Sequence, residues 1–501
     1  MLGIAGLWPD EAIEAIHAAS LALLERAGVR VESPAAHEIL LAAGCSPAGG
    51  DRLVVPRQVV DEAVAALPAR YVLTARDPAR SLPVDAEPGE VFVHNMGGAA
   101  DVSDALTGAT RRATIADQGD FSRVMHHLVN QHTVCSLLQP QDVPGELEPL
   151  YSYAVVAFET DKYVGGPGIS FPYQARHLLD MAREVTGADG AGGRYPLDLA
   201  FSPVSPLLLG AEVTDALVDA VRRGGVAVEI LPCPAAATTA PATLSAAVAQ
   251  QNAEVLAGLV LVQAVGPGTP TYYGPRLSAV DPRTGIFTSG TPETGVSSIA
   301  AVLLARRYGM ACDCYGPTTD ALVPDAQFGI EHALNALLGM LARPRFLSGV
   351  GDVHAGAAST LEALVIDDDV LNDAFYAIAP RPWDDAALDV DAMVEGVLSG
   401  KGFLGSKHTR RYIRSEFVSP LLAFRGGAEE WARSGHRGMV DLARERVDEL
   451  LGREPVGLPA DTLAALCERI DVCARELGLT EWPDPRVVLD ERARARARVT
   501  A

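Results

Sequence analysis

The chain has 501 residues, enough for a large buried core and for two to four domains unless one big α/β barrel takes up most of it. Lys plus Arg number 41 against 64 Asp plus Glu, a formal net charge of −23, which argues against nucleic acid and against anionic membrane as partners. The seven cysteines are odd in number and scattered, with no CxxC pair, so they are unlike a disulfide framework and lack zinc spacing.

Met1 to Pro9 is too short for a secretion signal and runs straight into Asp10 and Glu11, so a cytoplasmic protein is expected. Ile13, Ile16, Leu23 and Leu24 recur at helical spacing within Pro9 to Ala27, and Gly28 follows as a C-cap. The stretch "GVRVESPAAHEILLAAGC" then joins a short strand to a second helix, and "LVVPRQVVDEAVAALP" gives a third. Residues 1–88 thus form a small α+β unit, closed by the hinge "PVDAEPGE".

Eight short apolar or β-branched runs follow, starting at Val91, Thr133, Lys162, Asp198, Val226, Pro270, Met310 and Arg345. Their spacing of roughly 30 to 45 residues, with helical stretches between, predicts a (β/α)8 barrel over 89–366, with a doubly wound sheet as the alternative. Val213, Leu217 and Val221 mark one helix, stopped by Gly224-Gly225. Ala242 to Val265 is apolar, but Gln250, Gln251, Asn252 and Glu254 make it a buried helix and not a membrane span. Cys312 and Cys314, two apart on a strand, share one face as core thiols, the alternative being a metal role. Pro324-Asp325 starts another helix, with Phe328, Leu334, Leu338 and Leu341 on one side. Residues 367–501 read as a helical C-terminal extension packing on the barrel, with "ERARARARVT" fraying at its end.

In such a barrel the chemistry lies at the C-terminal strand ends. Those ends offer His94 and Asn95; Gln139 and Gln141; Ser170 and Phe171; Ser202 and Ser205; Thr238 and Thr239. Later ends offer Tyr272, Tyr273 and Arg276; Tyr315, Thr318, Thr319 and Asp320; Asp352 and His354. No GxGxxG, GxxxxGK[ST], HExxH or GxSxG motif is present, so nucleotide, zinc-protease and serine-hydrolase readings have no support. The residues alone say barrel enzyme.

Several segments carry a resemblance: "NAEVLAGLVLVQ" from Asn252, "YYGPRLSAVDPRTG" from Tyr272, "SGTPETG" from Ser289 and "TTDALVPDAQFGIEHALNALLG" from Thr318. So do "STLEALVIDDDVLNDAF" from Ser359 and "GKGFLGSKHTRRYIRSEFVSPLL" from Gly400. Over nearly its full length the chain resembles the trimethylamine methyltransferase family, on the branch without pyrrolysine that is similar to glycine betaine methyltransferases. The resemblance implies a (β/α)8 barrel that moves a methyl group from an amine to the cobalt of a corrinoid (cob(I)alamin or methylcobalamin) held by a separate corrinoid-binding protein. It also implies a homo-oligomer.

The family's pyrrolysine position falls on Thr318, and the lysine of its Ser-Asp-Ala-Lys-Val-Pro-Asp run becomes Leu322. A threonine hydroxyl cannot form the adduct that an imine forms with an amine lone pair, so the resemblance implies a quaternary amine of the glycine betaine type. It places Glu293 and Asp320 as catalytic candidates, each with a plain alternative at a helix start. Thr318, Tyr272, Tyr273, Tyr315, His94, Asn95, Phe171 and His354 are the substrate-binding candidates; the two adjacent tyrosines alternate across a strand, so only one of them can face the pocket. His408, Arg410, Arg411 and Arg414 meet either the corrinoid partner, the pocket rim or only one another's helix surface. A corrinoid-independent barrel enzyme and a non-catalytic quaternary-amine binding protein stay open as alternatives.

Overall fold

The computed structural model describes residues 4–166 and 168–490, so the "ERARARARVT" stretch lies outside them. All eight apolar runs contain a strand: β1 (Phe92–Asn95), β2 (Thr133–Val134), β3 (Tyr163–Val164), β4 (Leu197–Phe201), β5 (Val226–Ile230), β6 (Thr271–Tyr273), β7 (Asp313–Tyr315) and β8 (Phe346–Val350). The helices that follow them in turn are α1 (Ile115–His127), α2 (Glu148–Glu159), α3 (Pro172–Thr186), α4 (Ala211–Arg223), α5 (Leu244–Val265), α6 (Pro292–Arg307), α7 (Ala326–Ala342) and α8 (Leu361–Ile378). The protein is mixed α/β, and its strand pairing is parallel wherever a strand–helix–strand connection returns.

Parallel ladders join β4 to β5, β5 to β6, β7 to β8, β8 to β1 and β2 to β3. A single bridge, Tyr273 to Cys312, links β6 to β7, and the His132 amide donates to Val93 O between β1 and β2. Between β3 and β4 the contact is different. A Cβ on Gly166 would lie 1.6 Å from Asp198 O, so only glycine lets the backbones meet there. The Gly166 N–H donates to Asp198 Oδ1 at 3.0 Å.

Strands buried on both faces read as continuous apolar runs, which is why these eight were visible in the sequence. Alternation sorts their side chains. Cys312 and Cys314 point outward into the core under the helices, as free thiols. Helix α5 is long and apolar enough to cross a membrane by composition alone, yet it lies inside the fold, with Glu254 accepting from Ser205 Oγ at 2.8 Å and the Leu207 amide at 3.0 Å. In α7 the expected apolar side is corrected: Leu334 is exposed, whereas His332 and Asn335 are buried. Those two polar residues have partners inside, His332 on Asp367 and Asn335 on Gly290 O, so they take the inner positions.

The stretch 1–88 is knitted to the rest. Its strand Val29–Val31 pairs with Leu208–Leu209, and Tyr71–Leu73 pairs with both Leu82–Val84 and Arg194–Tyr195. Tyr71, Leu73, Leu82 and Val84 pack against Phe92, Tyr163, Tyr272 and Phe346, plugging the N-terminal ends of the strands. Helix α8 runs across the expected boundary at 366/367. Beyond it, helices Met439–Leu451 and Ala460–Glu476 pack on the outer helices, whereas no residue from 375 to 442 is buried.

Lys162 caps the end of α1, its ammonium donating to Met125 O (2.9 Å) and Leu128 O (3.0 Å). Burial pulls its pKa down to about 7. Between pH 7 and the pKa of a free lysine, near 10.4, the unfolded chain therefore binds more protons than the folded one, and this group makes stability rise with pH. Equilibrium unfolding of wild type and Lys162→Met between pH 7 and 9 is expected to show that rise, up to about 1.4 kcal/mol per pH unit, in the wild type alone.

Candidate active site

Inward-facing residues of the strands enclose a cavity of about 350 Å³. Period-two alternation puts Asp198 on β4, Glu229 on β5, Tyr272 on β6, Asp313 and Tyr315 on β7, Phe346 on β8 and His94 on β1 into its wall. Leu73 of the N-terminal plug also lines it. Gly97, Gly98, Gly165, Gly166 and Gly168, in the loops after β1 and β3, complete it at the C-terminal strand ends.

One side of the wall is an ion cluster. Arg276, three residues past β6, donates from one nitrogen to Glu229 Oε1 (3.1 Å) and Asp313 Oδ2 (2.6 Å), and from another to Asp313 O (2.7 Å) and Pro275 O (2.9 Å). His94 Nε2 meets the same Asp313 oxygen at 2.9 Å, and its Nδ1 lies 2.8 Å from Asn95 O. The guanidinium also sits over the Tyr315 ring, 5.0 Å from its centroid. Burial opposes a charge on His94, but the attraction of Asp313 outweighs it and raises the imidazole well above the usual histidine range. Burial and the neighbouring Asp313 carboxylate push Glu229 well above the usual carboxylate range, against the pull of Arg276. Burial would raise Asp313 too, yet Arg276 and His94 hold it below. The two shifts run in opposite directions, Glu229 toward its neutral form and Asp313 toward its ionised one.

The other side is built on Asp198. It accepts from Tyr163 Oη at 2.6 Å, from Gly166 N, and from Tyr272 Oη. Its two oxygens accept all three bonds, and both phenol rings are thereby fixed. Burial and the Asp198 charge push both tyrosines well above the ordinary phenol range. The Tyr272 and Phe346 rings lie 5.6 Å apart, tilted, so that aromatic surface lines the same space as the carboxylates.

His94, Asn95, Gln139, Tyr272, Arg276 and Tyr315 of the sequence candidates line this cavity. The others lie elsewhere. Tyr273 faces outward into the helix-covered core, as alternation requires. Glu293 is exposed in the first turn of α6. Asp320 accepts from the Ser289 and Gly290 amides, tying the loop after β7 to the one after β6. Thr318 donates to Asp352 Oδ2 (2.6 Å) and bonds Ser289 Oγ (3.1 Å), and it is not among the residues that line the cavity. His354, in left-handed backbone at φ +56°, has Nε2 on Leu322 O at 2.9 Å. Phe171 stacks on Tyr173 and lines a neighbouring cavity of about 380 Å³ that shares Gln139, Gly168 and Ala200 with the first. Asp198, Glu229, Asp313 and Tyr163 escaped sequence reasoning as site residues, and the signal for the acids was a lone carboxylate inside an apolar strand run, which has to find a partner.

The profile of the trimethylamine methyltransferase (MTTB) family matches residues 3–478. The chain belongs to that family. Relatives include the trimethylamine methyltransferase MttB of Methanosarcina thermophila, 28% identical over 459 residues, covering 90% of this chain and 93% of that protein. The glycine betaine methyltransferase of Desulfitobacterium hafniense strain Y51 is 28% identical over 427 residues, 85% of this chain and 88% of that protein. The trimethylamine methyltransferase MttB of D. hafniense strain DCB-2 is 26% identical over 480 residues, 95% of both. Likeness to the carboxyl transferase domain of Rhizobium etli pyruvate carboxylase, at 10% identity and a TM-score of 0.32 over 83% of this chain and 77% of that one, carries no argument. The protein is a methyltransferase enzyme.

Because the Thr318 hydroxyl serves Asp352, its removal leaves a buried carboxylate short of a donor. Thr318→Ala in this methyltransferase is expected to lower unfolding stability by about 1 to 3 kcal/mol, and Thr318→Ser to restore most of it. Denaturant unfolding of the two variants checks this.

Proposed function

We propose that the methyltransferase takes a methyl group from a quaternary ammonium compound and passes it to the Co(I) of a corrinoid carried by a separate protein. In this reading the eight strand–helix units close into a (β/α)8 barrel with the cavity at its C-terminal end. The observation that carries the proposal is the cavity wall, where Tyr163, Tyr272, Tyr315 and Phe346 share one enclosed space with the carboxylates of Asp198 and Asp313. Aromatic faces hold a fixed cation at about 0.5 to 2 kcal/mol each, and the Asp198 carboxylate adds attraction without requiring a lone pair on the ligand.

A quaternary nitrogen already bears its charge, so it departs as a neutral tertiary amine and needs no proton from the enzyme. The chain's part is to bind the cation, aim one methyl at the mouth and keep water out. The rim fits an acceptor presented from outside: glycines surround it, and a Cβ on Gly168 would meet nothing within 4 Å. A corrinoid presented there supplies a Co(I) nucleophile as methyl acceptor. Both terminal nitrogens of Arg276 are taken by Asp313, Glu229 and Pro275, so a betaine carboxylate would be met by backbone N–H groups of the glycine rim. The family relation to a glycine betaine methyltransferase and the threonine at position 318 support the same substrate class.

Incubation with a Co(I)-corrinoid protein and a panel of amines, followed by methyl-cobalt absorbance, tests the proposal. Demethylation of a quaternary amine and none of trimethylamine is expected; the reverse pattern would overturn it.

A further inference from the structure

The cavity of about 380 Å³ beside the candidate active site shares Gln139, Gly168 and Ala200 with it. The way between the two follows from the strands. No ladder joins β3 to β4 among the described residues, and glycine occupies positions 165, 166 and 168 beside that seam. On β4, alternation turns Asp198 and Ala200 the same way, about 7 Å apart, with Ser202 next in the row. Asp198 lines the first cavity, Ala200 lines both and Ser202 lines the second alone. A chain attached to a cation held beside Asp198 therefore has a course along β4 from one cavity into the other.

Phe171, Leu199, Phe201 and Leu217 make the second cavity largely apolar. Among the described residues Glu148, the first residue of α2, is its one charged lining residue, and no Arg, Lys or His faces it. Ser152 Oγ donates to Glu148 Oε1, whereas Oε2 has no hydrogen-bond partner among the described residues. Gln174 is already spent: its Oε1 takes the Ser170 (2.9 Å) and Phe171 (3.1 Å) amides, and its Nε2 donates to Glu146 O (3.2 Å). A carboxyl with an oxygen to spare, facing apolar surface, is a group that a donor on a ligand satisfies. Burial pushes it up to about 7, so above that pH it is an anion with no cationic residue on the same wall. Given an ammonium head held beside Asp198, as the proposed function requires, we infer that this cavity is the tail site of the substrate: the quaternary nitrogen carries an alkyl chain of several carbons that passes Ala200 and ends in a hydroxyl bonded to Glu148. A hydroxyl suits both forms of the acid, donating to the carboxylate and pairing with the neutral carboxyl. A carboxylate at the end of such a chain meets the Glu148 charge and finds no cation to offset it. Glycine betaine, whose carboxylate is one methylene away from its nitrogen, stays within the first cavity. The tail site thus ignores short betaines, excludes long ones and selects long trimethylammonium alcohols.

Isothermal titration of the full chain at pH 8 with tetramethylammonium, trimethylammonium alcohols of increasing chain length and the carboxylates of matching length gives the test. Affinity for the alcohols is expected to rise by about fourfold for each methylene buried, and the longest alcohol to bind about tenfold tighter than its carboxylate counterpart. Ser202→Leu, which fills the second cavity from an exposed position, should erase the gain with length and leave tetramethylammonium binding as in the wild type. Glu148→Gln should abolish the preference for alcohol over carboxylate; circular dichroism checks the fold of both variants. Tetramethylammonium that binds while the alcohols gain nothing with length overturns the tail site and leaves the head site standing. So does a wild-type pattern of affinities in folded Ser202→Leu or Glu148→Gln protein. If no ligand of any length binds, the head site fails and the tail site fails with it.

Discussion

An arginine buried beside two carboxylates and an imidazole constrains the centre of this protein. Removing one partner from a buried ion pair costs about 3 to 5 kcal/mol, against about 0 to 1 for a pair on the surface, because the remaining charge is left without water. Arg276 can therefore sit where it does only while Glu229 of β5, Asp313 of β7 and, through Asp313, His94 of β1 hold their places. Local sequence is adapted to the cluster. A Cβ on Gly274 would lie 2.2 Å from Glu229 Oε1, so glycine two residues before Arg276 is what lets the carboxyl reach across the end of β6.

That cluster shapes what the cavity can accept. With Arg276 and His94 both held on Asp313 and Glu229 pushed toward its neutral form, the cluster offers a cation no net negative charge, and the Asp198 carboxylate opposite is what supplies it. Asp198, tied to two phenols and one amide on the opposite side, presents charge and aromatic surface together. In the proposed reading a methylated cation would meet attraction there and give up few hydrogen bonds on leaving water, since it has no N–H to satisfy. An amine that must be engaged through its lone pair finds no electrophile on the wall.

The eight-strand rhythm was legible because each strand is short, apolar and closed by Gly, Pro or a polar residue, and the core-facing side of Cys312 and Cys314 followed from alternation together with the burial habit of free cysteine. His94, Tyr272 and Tyr315 were legible as strand-end residues on the inward side, with Asn95 beside them bonded across to Cys135. Depth was not. Thr318 and Asp320 follow β7 closely in sequence, yet their side chains knit the loops after β6, β7 and β8 together and do not line the cavity. Glu229 and Arg276 are 47 residues apart and Tyr163 and Asp198 are 35 apart, so no local pattern announces either contact. The buried face of α7 was misjudged for the same reason: the partners that make His332 and Asn335 inner residues come from α8 and the loop before α6.

The central claim is that the aromatic and carboxylate wall binds a quaternary ammonium ion, and it can be tested without any corrinoid. Isothermal titration of the full chain with tetramethylammonium, choline and glycine betaine should find at least one that binds at about one per chain. Tyr272→Leu should weaken that binding by about tenfold, the loss of one good cation–π contact, and Asp198→Asn should weaken it as well. Binding that is unchanged in both variants would contradict the account.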